Sequence, residues 1–471
     1  MGQEIEALRF NQEAFRQFQQ RLHDETQLIG QWIADRHFSN RDFVGGLELE
    51  LCLVDREGRP TASNEAVIDA VKSKNVVPEL SKFNLEFNVE PSALTGDGIE
   101  RLASGLKATW DETREKAKPL GVSIVAIGIL PTLAEEHLTL SNISALHRYH
   151  ALNEQLLRLR RGRPVRLNIS GVDELACEHQ GVMLEAGTTS LQLHLQVPQA
   201  HAAYAYNLAT VLSAPTVAIG ANSPLLFGKQ LWSETRIPLF EQAVDMEGPV
   251  DRVTLGTNYA TNDLAFLFEE NEKLYPVLLP LDMEQDREKL AHLRLHNGTI
   301  WRWNRPIVGF DSDGTPHLRV EHRVMAAGTT IVDMSAQMAF FYGLMMDYLQ
   351  QERLPIEENL PFHSAWTNFH EAARVGFKAN LLWLDGKKWL LKKLILEVLL
   401  PAAERGLNSL QAAPSIINSW LEIIAARVTT GKTGAQWQTD FFVQSGGDTL
   451  ALVREYRTRQ EAGEPVHLWS Y

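Results

Sequence analysis

Alternation of leucine with acidic residues constrains this chain more than any other feature. In Gly46-Leu47-Glu48-Leu49-Glu50-Leu51-Cys52-Leu53 every second residue is leucine, a period of two that only a β-strand presents as one apolar face. The pattern returns in Leu85-Glu86-Phe87-Asn88-Val89-Glu90, in Leu191-Gln192-Leu193-His194-Leu195-Gln196-Val197 and in Leu318-Arg319-Val320-Glu321-His322-Arg323-Val324. Each run buries one side and leaves the other chemically loaded. If the four strands share a sheet, its polar face carries Glu48, Glu50, Glu86, His194, Glu321, several amides, Arg319 and Arg323.

Strand geometry places Glu48 and Glu50 about 7 Å apart on the same side. Like charges that close repel, and a hard divalent cation between them relieves the repulsion while keeping room for phosphate oxygens. Arg319 and Arg323 supply the forked donors that phosphate recognition needs. A wet sheet face with chance acids explains any one of these strands equally well; the same logic in four favours a built site. His194, flanked by Gln192 and Gln196 on the polar face, suits a metal or phosphate role.

The segments resemble the signature strands of the glutamate-cysteine ligase family, in the bacterial and plant-like branch that includes carboxylate-amine ligases. Gly46-Leu47-Glu48-Leu49-Glu50 is similar to its first acidic strand and Leu85-Glu86-Phe87-Asn88 to its second. Thr189-Ser190-Leu191-Gln192-Leu193-His194 resembles its histidine strand, and Leu293 to Trp301 and Arg319-Val320-Glu321-His322-Arg323 its late hairpin and Glu-x-Arg strand. Each motif is short, but five in the family's order across about 275 residues make a specific signal.

That resemblance implies an α+β fold, with a curved antiparallel sheet of the glutamine-synthetase-like type flanked by helices, and a concave face that takes ATP and divalent cations. It implies metal ligation by Glu48, Glu50, Glu86, His194 and Glu321, with Mg²⁺ as the cation and Mn²⁺ as an alternative. It puts Arg323 on the transferring phosphoryl group, assisted by Arg319, and assigns substrate contacts to Arg236, Gln192 and Arg294. Glu90 lies where the family often has a non-acidic residue. The best-known substrates of the family are glutamate and cysteine, which would place the protein in glutathione biosynthesis, although nothing in the sequence specifies the amine.

Composition fits such an enzyme. The 471 residues are 44% hydrophobic, enough for a substantial core. A net charge of -14 argues against nonspecific nucleic-acid binding, which depends on neutralising phosphates with basic residues. Cys52 and Cys177 are the only cysteines; they form neither a disulfide framework nor a zinc pattern and suit a reducing cytoplasm. Cys52 reads as a packing residue, since no base for nucleophilic chemistry can be assigned to it. The polar, acidic start Met1-Gly2-Gln3-Glu4-Ile5-Glu6 lacks the basic and apolar blocks of a secretory signal. Asn207, Pro215, Asn222 and Pro224 interrupt the most apolar stretch, Ala205 to Phe227, which reads as a buried helix and turn rather than a membrane span.

Periodicity predicts a long amphipathic helix over residues 3–36, helices over 98–118 and 141–161, and a buried strand over 122–128. Asn297-Gly298 and Asp313-Gly314 predict tight hairpins. After Asp333 helical patterns dominate, through Leu349 and over 383–400, 416–428 and 449–459. Residues 1–354 therefore read as the catalytic region and 355–471 as a mainly helical C-terminal region, either packed on the same sheet or separate.

Three further signals carry less. Thr430-Gly431-Lys432-Thr433 ends like a phosphate loop, but Ala426 occupies the place of the first glycine and a helix precedes it, so it reads as a helix-ending loop. His370-Glu371-Ala372-Ala373-Arg374 lacks the second histidine of a zinc-protease helix. The cluster of Arg158, Arg160, Arg161, Arg163 and Arg166 fits a solvated helix end better than a gate for an anionic substrate.

The leading expectation is an ATP-dependent ligase that phosphorylates a carboxylate and lets an amine displace phosphate to form an amide, with a γ-glutamyl bond as the family's usual product. Two alternatives remain open: a phosphotransferase acting on a guanidino-type acceptor, and a catalytically silent nucleotide or metal sensor on the same scaffold.

Overall fold

A computed structural model describes residues 10–470 except 247, 249, 262, 284 and 285. Its centre is one antiparallel sheet built from β1 (Val44–Val54), β2 (Val76–Pro78), β3 (Asn84–Ala93), β4 (Ser123–Val125), β5 (Ser190–Val197), β6 (Asn304–Phe310) and β7 (Pro316–Ala326). The strand order is β6-β7-β5-β1-β3-β2, with β4 pairing the end of β1. The four runs with alternating leucine are therefore consecutive neighbours, and the sheet curls into an antiparallel half-barrel.

Register decides which side chains meet. Glu50 lies opposite Glu86, and Glu48 opposite Gln192. His194 pairs with Gly46 on one side and Glu321 on the other, and Glu321 with Arg305. Irregularities between Gly45 and Leu47 and between His322 and Met325 bend β1 and β7, as bulges do beside functional sites. The first bend is pinned from beneath: the Tyr342 hydroxyl lies 2.8 Å from the carbonyl of Gly46, 2.9 Å from that of His194 and 3.2 Å from the Gly46 nitrogen.

Leu49, Leu51, Leu193 and Leu195 are completely buried. The helices α1 (Gln12–Ala34), α2 (Gly98–Ala117), α3 (His147–Leu159), α4 (Ala202–Ile219), α5 (Ala265–Leu274), α6 (Ala291–Gly298), α7 (Ile331–Gln350), α8 (Phe362–Val375), α9 (Leu400–Ser409), α10 (Pro414–Thr430) and α11 (Thr449–Ala462) surround the sheet. The helix α2 packs on β3, α4 on β7, and α7 on α2 and α4. The C-terminal helices fasten to this layer. A Cβ at Gly406 of α9 would overlap the Gly343 carbonyl of α7, so the two helices approach backbone to backbone, and Arg405 forks Asp347 at 2.8 and 3.0 Å. No described helix is long and apolar enough to cross a membrane.

Several expectations shift. Asn11 caps α1, accepting from Ala14 N at 2.9 Å, so the helix starts at Gln12; residues 3–9 of the expected helix lie outside the described residues. The helix expected from 141 begins at His147. Asn297-Gly298 is not a hairpin: it ends α6, since asparagine and glycine serve a helix C-terminus as readily as a turn. Asp313-Gly314 does turn β6 into β7, with Gly314 at φ +88°. The helix expected over 383–400 starts only at Leu391. Before it, strands Asn380–Leu382 and Lys388–Leu390 pair around Asp385-Gly386, a turn dipeptide of the same kind. Gly431 ends α10 in the left-handed region at φ +73°.

Candidate active site

The polar face of the sheet floors a cleft of about 600 Å³, within the usual size of small-molecule sites. Glu48, Glu50, Glu86, Gln192, Arg294, Arg319, Glu321 and Arg323 all line it. His194 lies in the floor among them, 6% exposed. Members of the Arg158 to Arg166 cluster are not among the described lining residues; Arg160 is buried against the carbonyls of Ala243 and Asp245.

Two groups of potential metal donors stand on this floor. Glu48, His194 and Glu321 bring one donor atom each within 4.8 Å of one another, and Glu50, Glu79 and Glu86 do the same. In the first group His194 Nε2 is 3.3 Å from Glu48 and 3.7 Å from Glu321. Both ring nitrogens are buried without a hydrogen-bond partner, an arrangement that is costly unless a cation or proton completes it. Burial opposes ionisation of Glu48, but the adjacent imidazole outweighs it and holds the carboxyl at about 2. Glu321 is also held well below the usual range despite burial, by Arg305, Arg323 and His194. Arg305 forks it at 2.6 and 2.9 Å.

The second group behaves in the opposite way. Burial raises Glu50, Glu79 and Glu86 above the usual carboxylate range, and neighbouring carboxylates push Glu79 up to about 7 and Glu86 well up. Arg323 and Ser190 oppose that shift at Glu50. Three acids forced towards neutrality at one spot form a donor set that a divalent cation would ionise.

A polar relay joins this group to Arg323. Glu50 accepts from Ser190 N at 2.7 Å, Ser190 Oγ at 2.9 Å and Gln192 Nε2 at 2.7 Å. Gln192 Oε1 in turn accepts from Arg323 Nη1. The Nε atoms of Arg319 and Arg323 are buried without a hydrogen-bond partner, which leaves a donor on each for an anion. Arg294, on the exposed side of α6, lies 5.5 Å over the Phe310 ring at the rim.

Arg236, expected at a substrate carboxylate, is engaged by protein acceptors. It lines a small recess beside Arg323, but its guanidinium bonds Glu234 at 3.3 Å and the carbonyls of Arg323 and Val324. Those acceptors tie it to the back of β7. Glu90 also falls outside the site, in an exposed pair with Lys74 at 2.6 Å.

Glu79, Glu185, Arg305, Arg148 and Tyr149 line the cleft and escaped the strand pattern. Arg305 could have been found, because its strand runs antiparallel to the Glu-x-Arg strand and the register sets it opposite Glu321. Glu79 and Glu185 sit in connections, where no periodicity marks them. Tyr149 donates to Glu79 at 3.3 Å. Burial, with help from Glu79 and Glu50, raises Glu185 to about 8, and its Oε2 is buried without a hydrogen-bond partner.

Solved structures share the fold of this chain. The glutamate-cysteine ligase of Francisella tularensis, solved in complex with AMP, has a TM-score of 0.54 and 13% identity, over 91% of each chain. The bifunctional glutathione synthetase of Pasteurella multocida has a TM-score of 0.60 and 12% identity, over 93% of this chain and 55% of that one. At these identities the likeness is one of fold. No curated protein matches the chain. The family model described as glutamate-cysteine ligase family 2 matches residues 44–461, and the chain belongs to that family of ATP-dependent ligases joining a carboxylate to an amine.

Proposed function

We propose that the cleft uses ATP to convert a substrate carboxylate into an acyl phosphate and passes the acyl group to an amine, with glutamate as the acid and a γ-glutamyl amide as the product. The observation that carries this reading is the pair of donor sets, Glu48/His194/Glu321 and Glu50/Glu79/Glu86, on one cleft floor beside Arg323. The His194 nitrogens, which have no hydrogen-bond partner, and the crowded carboxylates fit divalent cations. Bound there, Mg²⁺ or Mn²⁺ would neutralise the polyphosphate during transfer.

The chain's own residues supply orientation and charge. Arg323 and Arg319 each keep a buried N–H without a partner, and in this reading they donate to phosphoryl oxygens as charge develops. Gln192 holds Glu50 and Arg323 in fixed relation, so a donor residue and a phosphoryl-binding residue move together. Arg305 keeps Glu321 from swinging out of its set. Glu185 Oε2 offers an acceptor to the N–H of the incoming amine. Arg294, stacked over Phe310, and the apolar Ile307 and Leu279 also line the cleft and give it the apolar and cationic character that suits a nucleotide. Arg236 supports Arg323 from behind.

The Francisella relative's name supports trying cysteine first, and its AMP supports an adenine nucleotide in the cleft. The test is phosphate release with Mg²⁺ and ATP, screened over acid and amine pairs, with mass detection of the product and Glu50→Gln as control. A metal-dependent product of amide mass is expected. A phosphorylated acceptor with no free phosphate would replace this reading with a phosphotransferase.

A further inference from the structure

Three consecutive residues of α1, which precedes the family-matched region, contact the stretch from α5 to α6, and the last of them reaches Leu293 of the cleft lining. His23 Nδ1 meets Glu272 of α5 at 2.8 Å. The Asp24 carbonyl accepts from Arg287 Nε at 2.9 Å. Glu25 goes furthest inward: 2% exposed, it places Oε1 2.7 Å from His292 Nδ1 and accepts from Leu293 N at 2.8 Å through Oε2. Phe18 closes the contact, its ring 5.1 Å edge-on to His292.

The contact matters because α6 cannot cap itself. The first N–H groups of a helix need an outside acceptor, usually a serine, threonine, aspartate or asparagine at the N-cap. Here Leu290 occupies that place, with no side-chain acceptor and a left-handed φ of +49°. That conformation is strained for leucine and persists only when the surroundings enforce it. Glu25 supplies the missing acceptor from another helix, and its charge also suits the positive end of α6.

What Glu25 holds is cleft wall. Leu293, Arg294, Leu295 and Asn297 of α6 line the cavity. The far end of the helix is tied to β6, where Asn297 donates to the Pro306 carbonyl at 2.8 Å and Arg305 to that of Gly298 at 3.3 Å. Arg305 is the residue that forks Glu321. Contacts thus lead from α1 into α6, the helix that carries the rim arginine Arg294, and from its far end through Arg305 to Glu321 on the floor.

We propose that Glu25 is a positioning residue, a cap donated by α1 that sets α6 and Arg294 for the nucleotide in the cleft. This rests on the nucleotide reading of the cleft given above. The test uses the full-length protein and its Glu25→Gln and Glu25→Ala variants, with Glu13→Gln on the exposed first turn of α1 as control. Hydrogen exchange is measured over residues 291–298, affinity for a non-hydrolysable Mg-ATP analogue by calorimetry, and KM for ATP and kcat separately.

Both Glu25 variants should exchange faster at 291–298, bind the analogue about tenfold more weakly and raise KM about tenfold, with kcat within about twofold of wild type. Glu13→Gln should change none of these. Unchanged exchange at α6 overturns the anchoring. Faster exchange with unchanged affinity and KM overturns the positioning role, as does faster exchange across the whole chain with an equal fall in kcat. A wild-type protein that binds no nucleotide overturns the cleft reading and the positioning role with it, while the exchange data still decide whether Glu25 holds the wall.

Discussion

Glu50 and Glu86 stand directly opposite each other across β1 and β3, both beneath the cleft and both raised by burial above the usual carboxylate range. A sheet that pairs a buried acid with a half-buried one gives up stability at neutral pH unless something neutralises them.

The linkage has a definite sign. Carboxyls whose folded pKa exceeds the unfolded value of 4.5 keep protons that the unfolded chain has released, so their contribution is complete below 4.5 and is lost as pH rises through the folded values. For Glu79 and Glu185 those values are about 7 and about 8. The stability that millimolar Mg²⁺ adds over EDTA should therefore grow between about pH 4.5 and 8 and be greatest at the upper end. Thermal melts across that range with EDTA or Mg²⁺ check this; melts that EDTA and Mg²⁺ leave superimposed would count against a cation at this site.

Arg323 is joined through Gln192 to Glu50 and keeps an unpartnered Nε. Arg323→Ala should lower kcat for amide formation on the order of a hundredfold or more, with a smaller effect on KM. Arg323→Lys should recover little, because an ammonium lacks the fork that reaches Gln192 and a phosphoryl oxygen together. Steady-state kinetics of the two variants decide it.

Asp333 is fully buried at the start of α7, where Arg427 reaches it at 2.5 Å and Val466 N at 3.0 Å. Arg427 takes Oδ1, while the Thr329 and Thr330 hydroxyls share Oδ2 with Val466 N. Asp333→Ala leaves the Arg427 charge buried and uncompensated, and should cost about 3–5 kcal/mol. A urea titration should give a correspondingly lower midpoint, whereas an Asp347→Ala variant, whose Arg405 partner is 59% exposed, should lose far less.

Much of this site was legible because strand alternation has only two faces. Once Leu49 and Leu193 are buried, Glu48, Glu50, Gln192 and His194 have nowhere else to point, and the sheet brings them together as alternation requires. Glu79 and Glu185 were hidden for the converse reason: they sit in connecting segments, whose course depends on tertiary packing. The Arg236 contacts with Glu234 and the Val324 carbonyl were not legible either, because a buried arginine near a site can serve a backbone carbonyl as well as a substrate carboxylate. The Asn297-Gly298 pair failed as a hairpin because its flanks bury a helical face, through Leu293, His296 and Asn297, which local turn chemistry does not reveal.

Transfer through an acyl phosphate moves one carboxylate oxygen of the acid into the released phosphate. The most direct measurement incubates the protein with Mg²⁺, ATP, glutamate labelled with ¹⁸O in its carboxylates and the amine that product screening selects, then weighs the released phosphate by mass spectrometry. One ¹⁸O should appear in phosphate for each amide formed. Unlabelled phosphate alongside amide, or label appearing in AMP, would contradict it.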